Sequence, residues 1–341
     1  MSRSSAPLPF WLLIAVLGAV LLGAVLWAPT VGPTELSLAR ALDSSIPAET
    51  NTDRIVLFEL RLPRVALALA VGVALALAGA AFQALLRNDL ATPYTLGVSG
   101  GASLGALLVL QAAGGAGAGA AVLYGLVPLA AFAGGAAAAA TVLVLAARSR
   151  GPGSERGASL ILAGVTLNLL FGAAVMILQY RSDPYEVAGM IRWLMGSLDA
   201  TDFTAAAVVG GGAVLVGAIL MASAMALNVM TLGDATAAHL GFHPGRVRAL
   251  CLMAGALGAA LCVAYAGPVG FVGLIIPHMM RRFTGPDHRR LLPACALAGA
   301  AFLVLCDAVG RLLGGNTEIP VGIVTAVLGG PFFLWLLFRR G

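Results

Sequence analysis

VALALAVGVALALAGAAFQALL, residues 65–86, carries a single strongly polar side chain, Gln83, and no charge. Crossing the hydrocarbon core of a bilayer as a helix takes about 20 such residues. The stretch therefore reads as a membrane span, and LRLPR (60–64) sets Arg61 and Arg64 at its mouth. Nine further runs of the same kind lie outward from it. The spans are placed near 10–28, 65–86, 95–113, 121–147, 158–180, 203–226, 247–266, 268–280, 291–313 and 321–338.

Composition supports that reading of the whole chain. The 341 residues are 60% hydrophobic and 10% charged, whereas a soluble domain is nearer a quarter charged. So much apolar surface requires lipid as solvent. The runs are solidly apolar rather than alternating, which argues against an outer-membrane barrel. Gly (44 residues) and Ala dominate, as expected where helices pack by close backbone approach. Gly97, Gly101 and Gly105 recur every fourth residue and predict one smooth packing face, and QAAGGAGAGAA (111–121) predicts a tight turn. The first run is longer than a signal-peptide core and is kept as a span.

Ten spans place both termini on one side. With that side cytoplasmic, the inner segments hold Arg3, Arg87, Arg148, Arg150, Arg156, Arg246, Arg248, Arg281, Arg282, Arg289, Arg290, Arg339 and Arg340 against Asp89, Glu155, Asp234 and Asp287. The outer segments are acid-rich, and the positive-inside bias supports N-in, C-in. Spans 2–5 and 7–10 then have opposite orientations, which permits an inverted repeat.

Reactive groups are sparse. The basic residues are all Arg, in short clusters between apolar runs, a poor pattern for nucleic acid. Cys251, Cys262, Cys295 and Cys306 lie within apolar runs without CxxC spacing and read as core. Asp307 and Arg311, at i and i+4 near the outer end of span 9, read as a couple. No acid sits at midplane, which weighs against the alternative of an ion-coupled secondary transporter. GVSGG (97–101) matches G-x-S-x-G, and a rhomboid-like protease using Ser99 is the remote alternative. HLGFH (239–243) has zinc-compatible histidine spacing, but only if a helix persists through Gly241. No metal site and no catalytic residue are assigned, and no P-loop is present.

Two cytoplasmic segments stand out. LNVMTLGDATAAHLGFHPGRVR (227–248) is too polar to span; it reads as two helical turns broken by glycine, with Asp234 as N-terminal cap. GFVGLIIPHMMRRFTGPDHRRLL (270–292) runs inward and ends in four arginines, with Pro277 expected to loosen the helix and His278 near the inner boundary. Pro277, His278, Arg281 and Arg282 form a candidate cytoplasmic gate and coupling face.

Four long motifs carry a resemblance: residues 60–106, TLGDATAAHLG (231–241), GPVGFVGLIIPHMMRRFTGPDHRRLLPACALAGA (267–300) and EIPVGIVTAVLGGPFF (318–333). In order and spacing they resemble the permease subunits of ABC importers for iron-siderophores, haem and vitamin B12. The resemblance implies an all-α polytopic type II importer permease, one transmembrane domain over 1–341, working as a homodimer in a bacterial inner membrane. It implies two cytoplasmic ATPase subunits, which hold ATP and Mg, and a periplasmic substrate-binding protein; the chain itself needs no cofactor. It implies a coupling loop at 227–247, with Leu232, Gly233, Asp234, Ala237, His239, Leu240 and Gly241 meeting the ATPase. It makes Arg61, Arg64 and Arg311 binding-protein docking residues, and Asn168, Leu170 and Met176 lining residues of the pathway. The cargo is expected to be a metal chelate, an iron-siderophore first, with cobalamin or haem as the other members of the class.

Overall fold

The computed structural model describes residues 9–114, 119–148, 153–200, 202–315 and 317–340; Arg3, Arg150 and the 115–118 part of the glycine-rich turn lie outside them. Every regular element among the described residues is helical. A helix occupies each apolar run: α1 (Phe10–Trp27), α2 (Leu62–Leu86), α3 (Val98–Gly114), α4 (Ala120–Arg148), α5 (Gly153–Arg181), α6 (Thr204–Ala222), α7 (Pro244–Ala266), α8 (Val272–Thr284), α9 (His288–Leu313) and α10 (Val321–Arg340). By length and hydropathy, seven of them qualify as membrane-crossing: α1, α2, α4, α5, α6, α7 and α9. The α8 helix has 13 residues, or roughly 20 Å, short of a hydrocarbon core about 30 Å thick.

Two boundaries differ from the sequence reading. The run placed at 268–280 becomes helical only at Val272, because Gly267 (φ +64°) and Phe271 (φ +67°) take left-handed backbone conformations and residues 267–271 form a loop. The run placed at 203–226 breaks at Ser223, after which a separate helix spans Ala224–Thr231.

The α2 helix is the hub. It is apolar on all sides, and a helix of that kind must be enclosed on all sides. The structure encloses it with α6, α7, α8 and α9, leaving one partly uncovered stripe of Leu62, Ala66, Leu69 and Val73. Glycine makes the enclosure possible. A Cβ on Gly72 would overlap the Gly299 carbonyl of α9, and one on Gly79 would overlap the Gly273 carbonyl of α8. Backbones touch at both crossings, and dispersion across such contacts drives association where lipid supplies no hydrophobic drive. The 97–101–105 stripe is corrected in one member. Gly101 and Gly105 press on the Gly134 and Ala130 carbonyls of α4, but Gly97 precedes α3 and closes the Pro93–Leu96 turn at φ +82°.

Pro277 is also reassigned. It sits inside α8 without ending it, and lacks the N–H that would bond to the Gly273 carbonyl four residues back. Gln83 of α2 substitutes: its Nε2 donates to the Gly273 carbonyl at 3.2 Å, and its Oε1 accepts from Arg281 Nη1 at 2.6 Å. The lone polar residue of the opening stretch therefore repairs the proline's defect and pins the end of α8. Gln83→Leu should cost about 1–3 kcal/mol, since it orphans a buried carbonyl and frees Arg281. Thermal unfolding in detergent would register a lowered midpoint, and an unchanged midpoint would refute the bridge.

Candidate docking, pathway and coupling sites

Arg64 and Arg87 mark the two ends of α2, separated by 23 residues or roughly 35 Å of helix. The two clusters they belong to are thus at opposite ends of the hub helix.

At the first end a π-helical turn, Val56–Arg61, feeds directly into α2 and turns both arginine side chains inward. Arg61 Nη1 donates to the Pro29 carbonyl at 2.8 Å and Nη2 to the Thr34 carbonyl. Arg64 Nε donates to Asp307 Oδ1 at 2.8 Å, and its Nη1 meets Asp199 Oδ1 at 3.2 Å and Glu318. Arg311 pairs with Asp307 Oδ2 at 3.1 Å and donates to the Val31 carbonyl at 2.7 Å. The three arginines are 6%, 8% and 3% exposed. Their heads turn inward because internal carbonyls and carboxylates satisfy them. They line a cavity of about 290 Å³, with Glu318 and the largely exposed Asp199 also on its wall. The Asp307–Arg311 couple is present, and Arg64 makes it a triad.

The pathway candidates separate. Asn168 is half-buried, and its Nδ2 donates to the Tyr94 carbonyl at 2.8 Å, tying α5 to the turn before α3. Leu170 and Met176 are 60% and 70% exposed. Residues two apart on a helix point to nearly opposite sides, so Asn168 and Leu170 cannot line one wall. The exposed side of α5 instead runs through Leu162, Leu169, Met176 and Tyr180. Tyr94 was not singled out from sequence. Besides receiving Asn168, its hydroxyl accepts from Val269 N at 3.2 Å and fixes the loop before α8.

At the far end, Asp234–His239 forms one short helix between α6 and α7. Gly233 (φ +121°) is its N-cap and no side chain caps it, which corrects the assignment of Asp234 as cap. Asp234 is the first helical residue, and its carboxylate receives Arg248 at 2.8 Å and Arg87 at 3.4 Å. Ala237 is fully buried against the bundle, while Leu232 and Leu240 are 70% and 59% exposed and His239 is exposed. The helix stops at His239 and Gly241 (φ +84°) turns the chain, so His239 and His243 do not share a helical face. The loop is a braced platform with an apolar, outward side.

A second brace lies alongside. Asn228 Nδ2 donates to Asp287 Oδ1 at 2.7 Å, and Asn228 Oδ1 accepts from His288 N at 2.8 Å. The Asn228 bond, with added help from nearby Arg289 and Arg290, holds the Asp287 carboxyl below the usual carboxylate range. A carboxyl depressed in the folded chain stabilises fully above its unfolded value of about 3.9, and the contribution fades as pH falls through the lower folded value. Amide exchange in 224–239 should therefore accelerate only in that acid range; acceleration already near pH 6 would exclude Asp287 as the cause. On α8, Pro277 is buried, Arg281 is tied to Gln83 and Asp89, and Arg282 is exposed. His278 and Arg282 face a cavity of about 590 Å³ between α8 and α10, closed opposite by Phe332 and Trp335. Ser99, half-buried at the start of α3, has no hydrogen bond to a histidine among the described residues.

Residues 19–339 match the FecCD transport family. The chain is 40% identical over 309 residues to the cobalamin import system permease protein BtuC of Halobacterium salinarum, covering 89% of this chain and 78% of that one. It is 40% identical over 294 residues to the hemin transport system permease protein HmuU of Yersinia pestis, covering 82% of each. It is 34% identical over 311 residues to the iron(3+)-hydroxamate import system permease protein FhuG of Bacillus subtilis, covering 91% of each. A solved structure described as an inward-facing conformation of a metal-chelate type ABC transporter superposes with a TM-score of 0.81 at 30% identity, over 97% of this chain and 100% of that one.

Proposed function

The chain belongs to the FecCD transport family, the permeases of metal-chelate type ABC importers, and from that premise we propose that it carries a metal chelate inward by ATP-driven alternating access. In this reading α1 to α10 all cross a bacterial inner membrane, the short α3, α8 and α10 included, with both termini cytoplasmic. Two copies assemble around a central pathway. Two ATPase subunits, which bring ATP and Mg, seat against the Asp234–His239 platform, and a periplasmic binding protein docks at the arginine cavity. The cargo is an iron-siderophore by preference, with cobalamin and haem in the same class.

The observation that carries this reading is the platform itself. Leu232 and Leu240 are large apolar side chains exposed on either side of a short helix whose base is fixed by Asp234, Arg87 and Arg248. Apolar side chains grouped outside the spans, rather than scattered singly, mark a surface that a partner covers. A rigid base lets that partner's displacement pass to α2 through Arg87 and to α7 through Arg248. The permease performs no bond chemistry; it supplies two arrangements of a packed bundle whose balance the partners shift. An ion-coupled mechanism finds little support, because Asp307, the buried carboxylate near the outer end, is clamped between two arginines.

Leu232→Arg combined with Leu240→Arg should leave the chain folded, since both side chains are exposed. It should weaken ATPase association at least about tenfold, as expected when apolar anchors of an interface are lost. Co-purification of the ATPase with the double variant at wild-type yield would overturn the assignment.

A further inference from the structure

Three carboxylates of the chain pair with the cavity's arginines, Asp199 and Glu318 on its wall and Asp307 behind it, and they differ in how firmly they are held. Asp307 has a side chain 1% exposed and lies between Arg64 and Arg311. Asp199 is 71% exposed and makes one longer contact, at 3.2 Å, with Arg64. Glu318 is intermediate: 34% exposed, yet in direct contact with Arg64 Nη1. It sits in the short connection from α9 to α10, which folds back through Thr317 N to the Gly314 carbonyl at 3.1 Å and Ile319 N to the Gly310 carbonyl at 3.2 Å. Only Pro320 and Ile319 separate it from the start of α10. Meanwhile Arg311 Nη2, buried in the cavity wall, has no hydrogen-bond partner among the described residues.

We propose that Glu318 is a tethered, displaceable stand-in for a carboxylate of the binding protein, and that its release frees the segment leading into α10. This rests on the docking role given above to Arg61, Arg64 and Arg311. The charge count favours exchange over addition. Arg64 and Arg311 pair with Asp307, Asp199 and Glu318, and Arg61 beside them is held by the Pro29 and Thr34 carbonyls, so the cluster has a formal balance of zero. With Glu318 swung out the balance is +1, which one incoming carboxylate restores. Swapping one carboxylate for another leaves no buried arginine unpaired, which is the costly outcome for buried ion pairs. Asp307 cannot serve, because removing it leaves Arg311 without a carboxylate and strips Arg64 of its buried partner. Asp199 is already solvated and competes weakly. Glu318 is both reachable and tight. Docking would then be read directly at the N-terminus of α10, about 35 Å from the coupling platform at the other end of α2.

The test uses the full importer, two copies of this chain with their ATPases in lipid nanodiscs, titrated with its own substrate-loaded binding protein. Removing a tethered competitor should tighten binding, so Glu318→Gln is expected to lower Kd about tenfold, equivalent to ~1.4 kcal/mol. Arg64→Gln should weaken binding. If Arg64→Gln weakens binding but Glu318→Gln leaves it unchanged or weaker, the stand-in role is overturned and docking stands. If single Arg61, Arg64 and Arg311 substitutions all leave Kd unchanged, the docking role fails and the stand-in with it. A fluorophore on Thr317→Cys, exposed beside an intact Glu318, gives a readout independent of any folding defect. Its emission should shift when the binding protein is added, and no shift would overturn the proposal.

Discussion

Asp307→Asn is expected to cost about 3–5 kcal/mol of stability, the range for breaking a buried ion pair by removing one charge. The amide keeps the shape of the carboxylate and removes what holds Arg64 and Arg311 together. Arg64 would retain Asp199 and Glu318 nearer the surface, but Arg311 would keep only the Val31 carbonyl. The loss should propagate, because the triad joins α2 to α9, whose backbones touch about two turns further along at Gly72 and Gly299. Asp199→Asn is the matched control: with a side chain 71% exposed, its pair should contribute no more than about 1 kcal/mol. Denaturant or thermal unfolding of the three proteins in detergent checks the contrast. Equal midpoints for Asp307→Asn and wild type would show that the triad is not structural.

Gly79→Ala should destabilise by about 1–3 kcal/mol even though Ala is the better helix former by ~1 kcal/mol. The added Cβ would overlap the Gly273 carbonyl, and backbone cannot step aside as a flexible side-chain tip can. The α8 helix would have to move away from α2, breaking the Gln83 bridge one turn further along. Gly18→Ala on α1 meets open space and should follow propensity alone, neutral or slightly stabilising. The opposite signs of two identical substitutions, read as shifts in unfolding midpoint, separate close packing from intrinsic preference. A Gly79→Ala chain as stable as wild type would mean that the crossing is loose.

The helices were legible because an uncharged run of about 20 residues has few alternatives, and the platform at 234–239 because a polar loop of that length with glycine breaks must fold on something. What sequence concealed lies between elements distant in the chain. Gln83 looked like a tolerated polar residue, since its use depends on a proline nearly 200 residues later. Gly79 and Gly273, and likewise Gly72 and Gly299, are lost among 44 glycines until the crossing is seen. Arg61, Arg64 and Arg311 were found as a group, but spacing could not tell whether their heads face water or one another. The carbonyls of Pro29, Val31 and Thr34 and the carboxylates of Asp199 and Glu318, which with Asp307 decide that, come from other segments. Asn168 and Leu170 were named together for the pathway although helical periodicity alone puts residues two apart on different faces.

Uptake into proteoliposomes measures the central claim most directly. The chain would be reconstituted with its ATPase and binding protein, ionophores would collapse proton and sodium gradients, and ferric hydroxamate, cyanocobalamin and haemin would be offered separately. Accumulation of one of these chelates that requires ATP and the ATPase, persists with the ionophores and is lost with Leu232→Arg plus Leu240→Arg is the predicted result; accumulation without the ATPase, or its collapse with the ion gradients, would contradict it.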